Sequence, residues 1–254
     1  MIYEVLIVCR IEMKNFLLGV DCQAEVLMRA LIDKIIELFK WPVAIYMLLS
    51  LPAYVQSLSY FNFMNLRYMA LFGGFFFFFI ARGMMDSSVK SNMEVVAHEM
   101  THALFAVLTL HKVKGIRVEG DNSGGNMSFE GEGNWLIVIA PYFFPLFGFL
   151  CMVAISIYTH FASMNLILNG VMGFFIGYHL DTVGSQIHEK QTDLPKVSYK
   201  FCAMFLPSAN LWAIGSMLAF NTRGWSGVSL YMDLIRHLNG RNWDMVSHWL
   251  SNLF

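Results

Sequence analysis

The longest uncharged stretch of the chain runs from Gly133 to Leu180 and reads GNWLIVIAPYFFPLFGFLCMVAISIYTHFASMNLILNGVMGFFIGYHL. It contains no Asp, Glu, Lys or Arg, and polar residues between Thr159 and Asn165 divide it into two halves. A helix that spans a membrane needs about 20 mostly apolar residues. The stretch is therefore long enough for two spans, and it predicts a chain that crosses a lipid bilayer more than once.

The composition of the whole chain agrees with this prediction. Of its 254 residues, 57% are hydrophobic and only 14% are charged, whereas soluble domains carry about 25% charged residues. The net charge of −1 offers no basic surface that would attract a nucleic acid. The composition excludes a soluble enzyme and a nucleic-acid partner, and it predicts an integral membrane protein surrounded by lipid.

Four further stretches are apolar enough to add membrane segments. They are Trp41–Leu66, Tyr68–Ala81, Ser88–Leu110 and Phe201–Thr222. Together with the two halves of the long stretch, they predict an all-α multi-pass membrane protein with about six membrane segments.

The remaining charged residues divide the chain into three parts. In the N-terminal segment, residues 1–40, the stretch Ala24–Lys40 repeats apolar side chains at helical spacing beside a charged face, which predicts an amphipathic helix at the membrane interface. Residues 41–222 form the predicted membrane domain. Residues 223–254 place tryptophans among polar residues, which is typical of an interfacial tail.

One short region does not fit the helical pattern. Between Lys112 and Gly131, apolar and polar residues alternate on both sides of the turn-forming stretch Asp121–Gly125. This pattern predicts a small β-hairpin after Leu110. Its exposed edge is a surface on which an unwound substrate can pair as an added strand, and the alternative is a connector that covers the site from outside.

The chemistry-bearing motif of the chain is His98-Glu99-Met100-Thr101-His102, an HExxH sequence inside an apolar helix. Residues four apart lie on one face of a helix, so His98 and His102 can direct imidazole nitrogens at one Zn²⁺. Glu99 stands beside them and can take a proton from a water that zinc activates. Each charged group costs about 3 kcal/mol in an apolar membrane helix, so such a helix would not keep these residues without a partner. The motif therefore predicts a zinc-dependent peptidase.

A catalytic zinc usually has three protein ligands and one open position. Asp181 ends the long uncharged stretch and is the acid nearest to its apolar helix, so we expect it to be the third ligand. Asp193 is the alternative third ligand. His179 is expected to orient Asp181 through a hydrogen bond.

These residues resemble the site-2 protease family of intramembrane zinc metallopeptidases. His98–His102 resembles the ligand-base-ligand motif of that family, Ala140–Pro145 resembles its proline-containing segment, and Leu180-Asp181 resembles the pair that delivers its third ligand. The chain differs in two respects. Thr182 follows Asp181 where the family has glycine, and the loop from His111 to Asn134 is too short to hold an inserted peptide-binding domain.

The resemblance implies an endopeptidase that hydrolyses peptide bonds of a membrane protein or peptide substrate, with Zn²⁺ as cofactor and Glu99 as general base. It also leads us to expect a location in a bacterial inner membrane. If the HExxH helix and both halves of the long stretch crossed the membrane fully, His98 and Asp181 would differ in depth by roughly 15–20 Å. We therefore expect either a broken course at Pro141 and Pro145, or an HExxH helix that starts well before Met93.

Two other functions remain open at this stage. The pattern from Glu189 to Asp193 is similar to the Glu-x-x-x-Asp sequence of membrane-embedded CAAX-prenyl proteases, which would make Glu189 the third ligand. A membrane protein that holds zinc without catalysis is the second alternative.

Overall fold

The computed structural model describes residues 2–119, 124–188 and 191–251, with side chains from residue 25 onward except 119 and 250. Its elements, in chain order, are α1 Ile2–Ser57, α2 Leu66–Met84, α3 Ser87–Leu108, β1 Val113–Glu119, β2 Gly124–Phe129, α4 Trp135–Ile139, α5 Leu146–Phe161, α6 Leu166–Gln186, α7 Asp193–Val197 and α8 Tyr199–Ser251. Short 3-10 turns cover Leu58–Tyr60 and Ala140–Tyr142. The mostly helical chain with one small sheet confirms the predicted fold class at this level.

Four helical stretches within the described residues are long and apolar enough to cross a membrane. They are Glu25–Tyr60, Leu66–Met84, Leu166–Gln186 and Tyr199–Trp249, and a bent pair of shorter helices raises the number to five. The structure thus has fewer candidate spans than the six predicted. The HExxH helix α3 is not one of them, and it carries three charged side chains, Lys90, Glu94 and Glu99.

The bent pair lies in the long uncharged stretch. The segment Trp135–Tyr142 meets α5 at an angle of 79°. Proline cannot donate a backbone hydrogen bond and fits best in the first turn of a helix, and Pro145 stands just before α5. This confirms the broken course expected at Pro141 and Pro145, and α3 also begins before Met93 as the other expectation required.

Backbone-to-backbone contact joins α2 to α6. A Cβ atom on Gly74 would lie 1.8 Å from the carbonyl oxygen of Gly170, and one on Gly177 would lie 3.0 Å from the ring of Phe78. Small residues of this kind allow membrane helices to approach closely. Because the contacts advance in the same direction along both helices, α2 and α6 run parallel and end at the same level.

The predicted hairpin is present. β1 and β2 pair antiparallel from Val113–Phe129 to Glu119–Gly124, with an irregular register between residues 113 and 115. Residues 120–123 of the predicted turn lie outside the described part of the chain. A Cβ atom on Gly125 would lie 2.5 Å from Val95 and 2.8 Å from Glu99, so β2 lies directly on the face of α3 that carries the motif.

The N-terminal helix also helps to position the hairpin. The predicted interfacial helix of residues 1–40 continues without interruption into the first candidate span, so that α1 is a single helix. The carboxylate of Asp33 bonds to His111 Nε2 at 3.1 Å and accepts a hydrogen bond from Asn134 Nδ2 at 2.6 Å. Since His111 precedes the hairpin and Asn134 follows it, one carboxylate holds both of its ends against α1.

The last helix, α8, returns from the site to the opposite end of the molecule and then turns. Gly224 has φ 61° and ψ −146°, which interrupts the helix at the predicted start of the tail. After this kink, Tyr231 and Ile235 pack against Tyr54 of α1. The interfacial role of residues 223–254 stays a prediction.

Candidate metal centre

Three side chains that can bind a metal converge where α3 meets α7. Nε2 of His98 lies 3.0 Å from Nε2 of His102, and Oδ2 of Asp193 lies 3.4 Å and 3.3 Å from these two atoms. Zinc bonds of about 2.0–2.2 Å in a tetrahedron place neighbouring ligand atoms about 3.3 Å apart. The three atoms therefore have the spacing of ligands around one zinc ion.

Hydrogen bonding explains why these atoms are available to a cation. Nδ1 of His102 lies 2.7 Å from the backbone carbonyl oxygen of Ile137. That oxygen can only accept, so Nδ1 carries the proton and Nε2 of the neutral ring presents a lone pair. This lone pair faces a second imidazole nitrogen and a carboxylate oxygen. The donor set fits zinc, which attracts all three.

The carboxylate of Asp193 is held in its ionised form. Burial by itself would raise the pKa of Asp193, but its close contacts with His102, His98 and Lys196 outweigh it and hold the pKa far below its usual range. Lys196 Nζ donates to Oδ1 at 2.9 Å, which leaves Oδ2 facing the histidines. The hydroxyl of Tyr142 also approaches Oδ2, at 3.4 Å.

The structure corrects our expectation for Asp181. Its carboxylate forms an ion pair with Arg82 at the end of α2 and does not lie with the two histidines. The reason is its position on α6, because Asp181 follows Gly177 by one helical turn and so shares the face that packs on α2. The alternative that we considered, Asp193, is the acid in the group.

The structure also corrects the position expected for His179. Its Nε2 lies 3.1 Å from Oδ1 of Asn210 on α8, so the ring contacts neither Asp181 nor the histidine pair in the hydrogen bonds described. Asn210 in turn donates to the carbonyl oxygen of Tyr142 at 3.0 Å. His179 thus joins α6 to α8 and the 3-10 turn. The other candidate ligand, Glu189, lies outside the described residues.

Glu99 is buried and lies next to the histidines at the wall of a polar cleft of about 550 Å³. Its carboxylate accepts a hydrogen bond from the backbone N–H of Met127 in β2. The cleft is lined by α3, by β2, by the end of α6 and by residues 191–196. A carboxylate at this wall, beside the shared point of the three ligand atoms, has the place that a general base needs.

Two contacts of the site are not predicted by the sequence. Oε1 of Gln186 lies 3.0 Å from Nδ1 of His98, and the carbonyl group of Ile137 contacts His102 as described. The only signal for Gln186 is a polar residue one turn after Thr182 at the end of an apolar helix. A backbone carbonyl leaves no signal in the side-chain pattern.

Residues 86–178 match the family model described as Peptidase M50B-like. The matched region begins just before α3, includes His98, Glu99 and His102, and ends within α6, before Asp193. The comparison with curated proteins found no match, and the comparison with solved structures found none either. Over these residues the chain is similar to M50B-like peptidases, and the match supports the resemblance to the site-2 protease family.

Proposed function

We propose that the protein is an intramembrane zinc-dependent endopeptidase that cleaves peptide bonds of membrane-associated proteins or peptides. One observation carries the proposal: His98, His102 and Asp193 direct their ligand atoms at one point beside Glu99. The match of residues 86–178 to a peptidase family supports the same reaction class.

The chemistry divides between the ion and the protein. Bound zinc would act as a Lewis acid that polarises the scissile carbonyl and makes water acidic enough to react at neutral pH. The carboxylate of Glu99 would take the proton of the attacking water and pass it to the leaving amine. The N–H of Met127 holds this carboxylate in place at the cleft wall.

The hairpin supplies a surface for the substrate. β2 belongs to a two-stranded sheet, and its residues Gly124–Met127 and Phe129 line the cleft that contains Glu99. Proteolysis requires an extended backbone, and an extended peptide can pair with the free edge of a strand. We propose that the scissile segment unwinds and lies along β2 within reach of the metal centre.

Water must also reach a site of this kind. Polar side chains also line the cleft, among them Ser185, Gln191, Thr192 and Lys196. They surround the end of α6, where a candidate span ends. We propose that water reaches Glu99 along this polar lining.

The test measures zinc and peptidase activity separately in the purified full-length protein. We expect the wild type to bind one zinc ion and to cleave fluorescence-quenched casein. Glu99→Gln should bind zinc and not cleave, whereas His98→Ala should do neither. If Glu99→Gln cleaves casein like the wild type, the glutamate is no base, and a protein that holds zinc without catalysis by this centre becomes the better description.

A further inference from the structure

Beyond the three ligand atoms, we propose that Gln186 is a positioning residue of the metal centre, which fixes the ring of His98 in the tautomer and orientation that zinc binding requires. The inference rests on the proposed function, because it assigns a partner to a ligand of the same site. Gln186 lies after the region that matches the peptidase family, residues 86–178.

The two hydrogen bonds of the Gln186 amide define its orientation. Nε2 lies 3.4 Å from the backbone carbonyl oxygen of Glu94, and Oε1 lies 3.0 Å from Nδ1 of His98. The carbonyl oxygen can only accept, so the NH₂ group faces Glu94 and the amide oxygen faces His98. Nδ1 of His98 therefore carries the proton, and its Nε2 is left free to bind a metal.

The same arrangement exists at the second histidine. His102 donates from Nδ1 to the carbonyl oxygen of Ile137 at 2.7 Å, and both Nε2 atoms then face Asp193. Oriented acceptors of this kind fix the rings of metal-binding histidines and raise their basicity. One acceptor comes from α4 and the other from α6, so the two rings are held independently.

An ion-pair network holds the end of α6 against α3. Arg82 of α2 pairs with Asp181 of α6 and, at 2.9 Å, with Glu94 of α3. The hydroxyl of Ser185 donates to the other oxygen of Glu94 at 3.1 Å. These contacts lie within about one helical turn of Gln186, whose side chain is buried. Asp181 thus supports the helix that carries Gln186 and does not itself lie with the ligand atoms.

A neutral acceptor suits the charge of the site. The two positive charges of a zinc ion would be balanced by the carboxylates of Asp193 and Glu99 when both are ionised. An amide oxygen orients His98 without adding a third negative charge in a partly buried cleft, where an unpaired charge is costly.

The experiment compares zinc affinity in the full-length protein by competition with a chelator, together with the visible spectrum of the Co²⁺-substituted form. Gln186→Leu keeps the size of the side chain and removes the acceptor, and we expect zinc to bind 10–100-fold more weakly with a changed cobalt spectrum. Gln186→Glu keeps an acceptor oxygen at the same reach but adds a negative charge, so its zinc affinity should fall less than that of Gln186→Leu. Gln56→Leu makes the same exchange in α1, away from the residues of the site, and should change neither the zinc affinity nor the cobalt spectrum.

The outcomes separate this inference from the proposed function. Wild-type zinc affinity in Gln186→Leu, or equal losses in Gln186→Leu and Gln186→Glu, would overturn the positioning role. If Gln186→Leu does not fold, Gln186→Asn takes its place, because the shorter side chain cannot reach Nδ1 of His98. The zinc affinity of Gln186→Asn should then fall. An unchanged affinity would refute the positioning role. His98→Ala is the reference for the function itself: if it binds zinc like the wild type, the proposed metal centre is wrong irrespective of Gln186.

Discussion

Nε2 of His102 on α3 lies 3.3 Å from Oδ2 of Asp193 at the start of α7. The acid comes from a five-residue helix in a polar connection and not from a membrane helix. Its second oxygen is taken by Lys196, so a single oxygen is presented to the histidine pair. We therefore expect metal binding to depend on Asp193 and not on Asp181.

We predict opposite results for the two aspartates. Asp193→Ala should lose stoichiometric zinc, because a site with two protein ligands remains. Asp181→Ala should keep its zinc but lower the stability of the protein by about 1–3 kcal/mol, because Arg82 loses a partner in a partly buried position. Metal analysis and thermal unfolding of the purified proteins check both statements. Loss of zinc in Asp181→Ala with normal zinc in Asp193→Ala would reverse our assignment.

The general-base role of Glu99 predicts a separation of binding from catalysis. Glu99→Gln keeps the size of the side chain and its contact with Met127, so zinc content should equal that of the wild type. The rate of casein cleavage should fall about 10²–10⁴-fold, the range that proton transfer by a positioned side chain contributes. Glu99→Asp serves as a second variant, since it retains the base at a shorter reach and should keep more activity than Glu99→Gln. Equal rates in all three proteins would contradict the role.

The contact between hairpin and motif helix predicts a specific effect at Gly125. A methyl group there would lie 2.5 Å from Val95 and 2.8 Å from Glu99, so Gly125→Ala must displace β2 or the base. We expect cleavage to fall at least about tenfold while zinc, which is bound by other residues, stays bound. Gly115→Ala on β1 is the matched control, because no atom lies within 4 Å of its added methyl group. Equal activity in the two variants would show that β2 does not position Glu99.

The α2–α6 contact predicts a loss of stability without any change in chemistry. Gly74→Ala would place a methyl carbon 1.8 Å from the carbonyl oxygen of Gly170, and the helices must separate to admit it. The cost should be about 1–3 kcal/mol or more, as for other overpacked cores. Gly73→Ala, one residue away, meets nothing within 4 Å and should unfold at the wild-type temperature. Thermal unfolding in detergent distinguishes them, and identical midpoints would refute the close packing.

Features that depend on neighbouring residues of the chain can be predicted from its sequence. The histidine pair, the hairpin and the break before Pro145 depend on residues close together in the chain, so spacing and turn chemistry were enough to predict them. The third member of the metal group depends on how whole helices are rotated. Gly177 lies on the face of α6 that packs against α2, and Asp181 lies on the same face, where it pairs with Arg82. Nothing in the pattern around Asp193, which looks like a solvated loop acid, shows that α7 returns to the motif.

The described residues contain fewer candidate spans than the sequence predicts, for a related reason. Hydropathy identifies a run of apolar residues, but it does not show whether the helix that they form is straight or bent. The residues from Trp135 to Tyr142 and those of α5 are together apolar enough for a span, yet the two segments meet at an angle of 79°. Likewise α3 is apolar enough to suggest a span, but its charged side chains meet partners on α2 and α6, as Glu94 does with Arg82 and Ser185.

Pro141 has a consequence for the second histidine that goes beyond breaking a helix. In an α-helix, the carbonyl of Ile137 would accept the amide hydrogen of the residue four positions later, which here is Pro141 and has no such hydrogen. Pro141 thus leaves the carbonyl oxygen of Ile137 without its usual backbone donor, and Nδ1 of His102 donates to this oxygen instead, at 2.7 Å. The backbone hydrogen bond that the helix lacks is therefore replaced by one that holds the ring of His102. An alanine at this position would restore the competing amide and weaken that anchor.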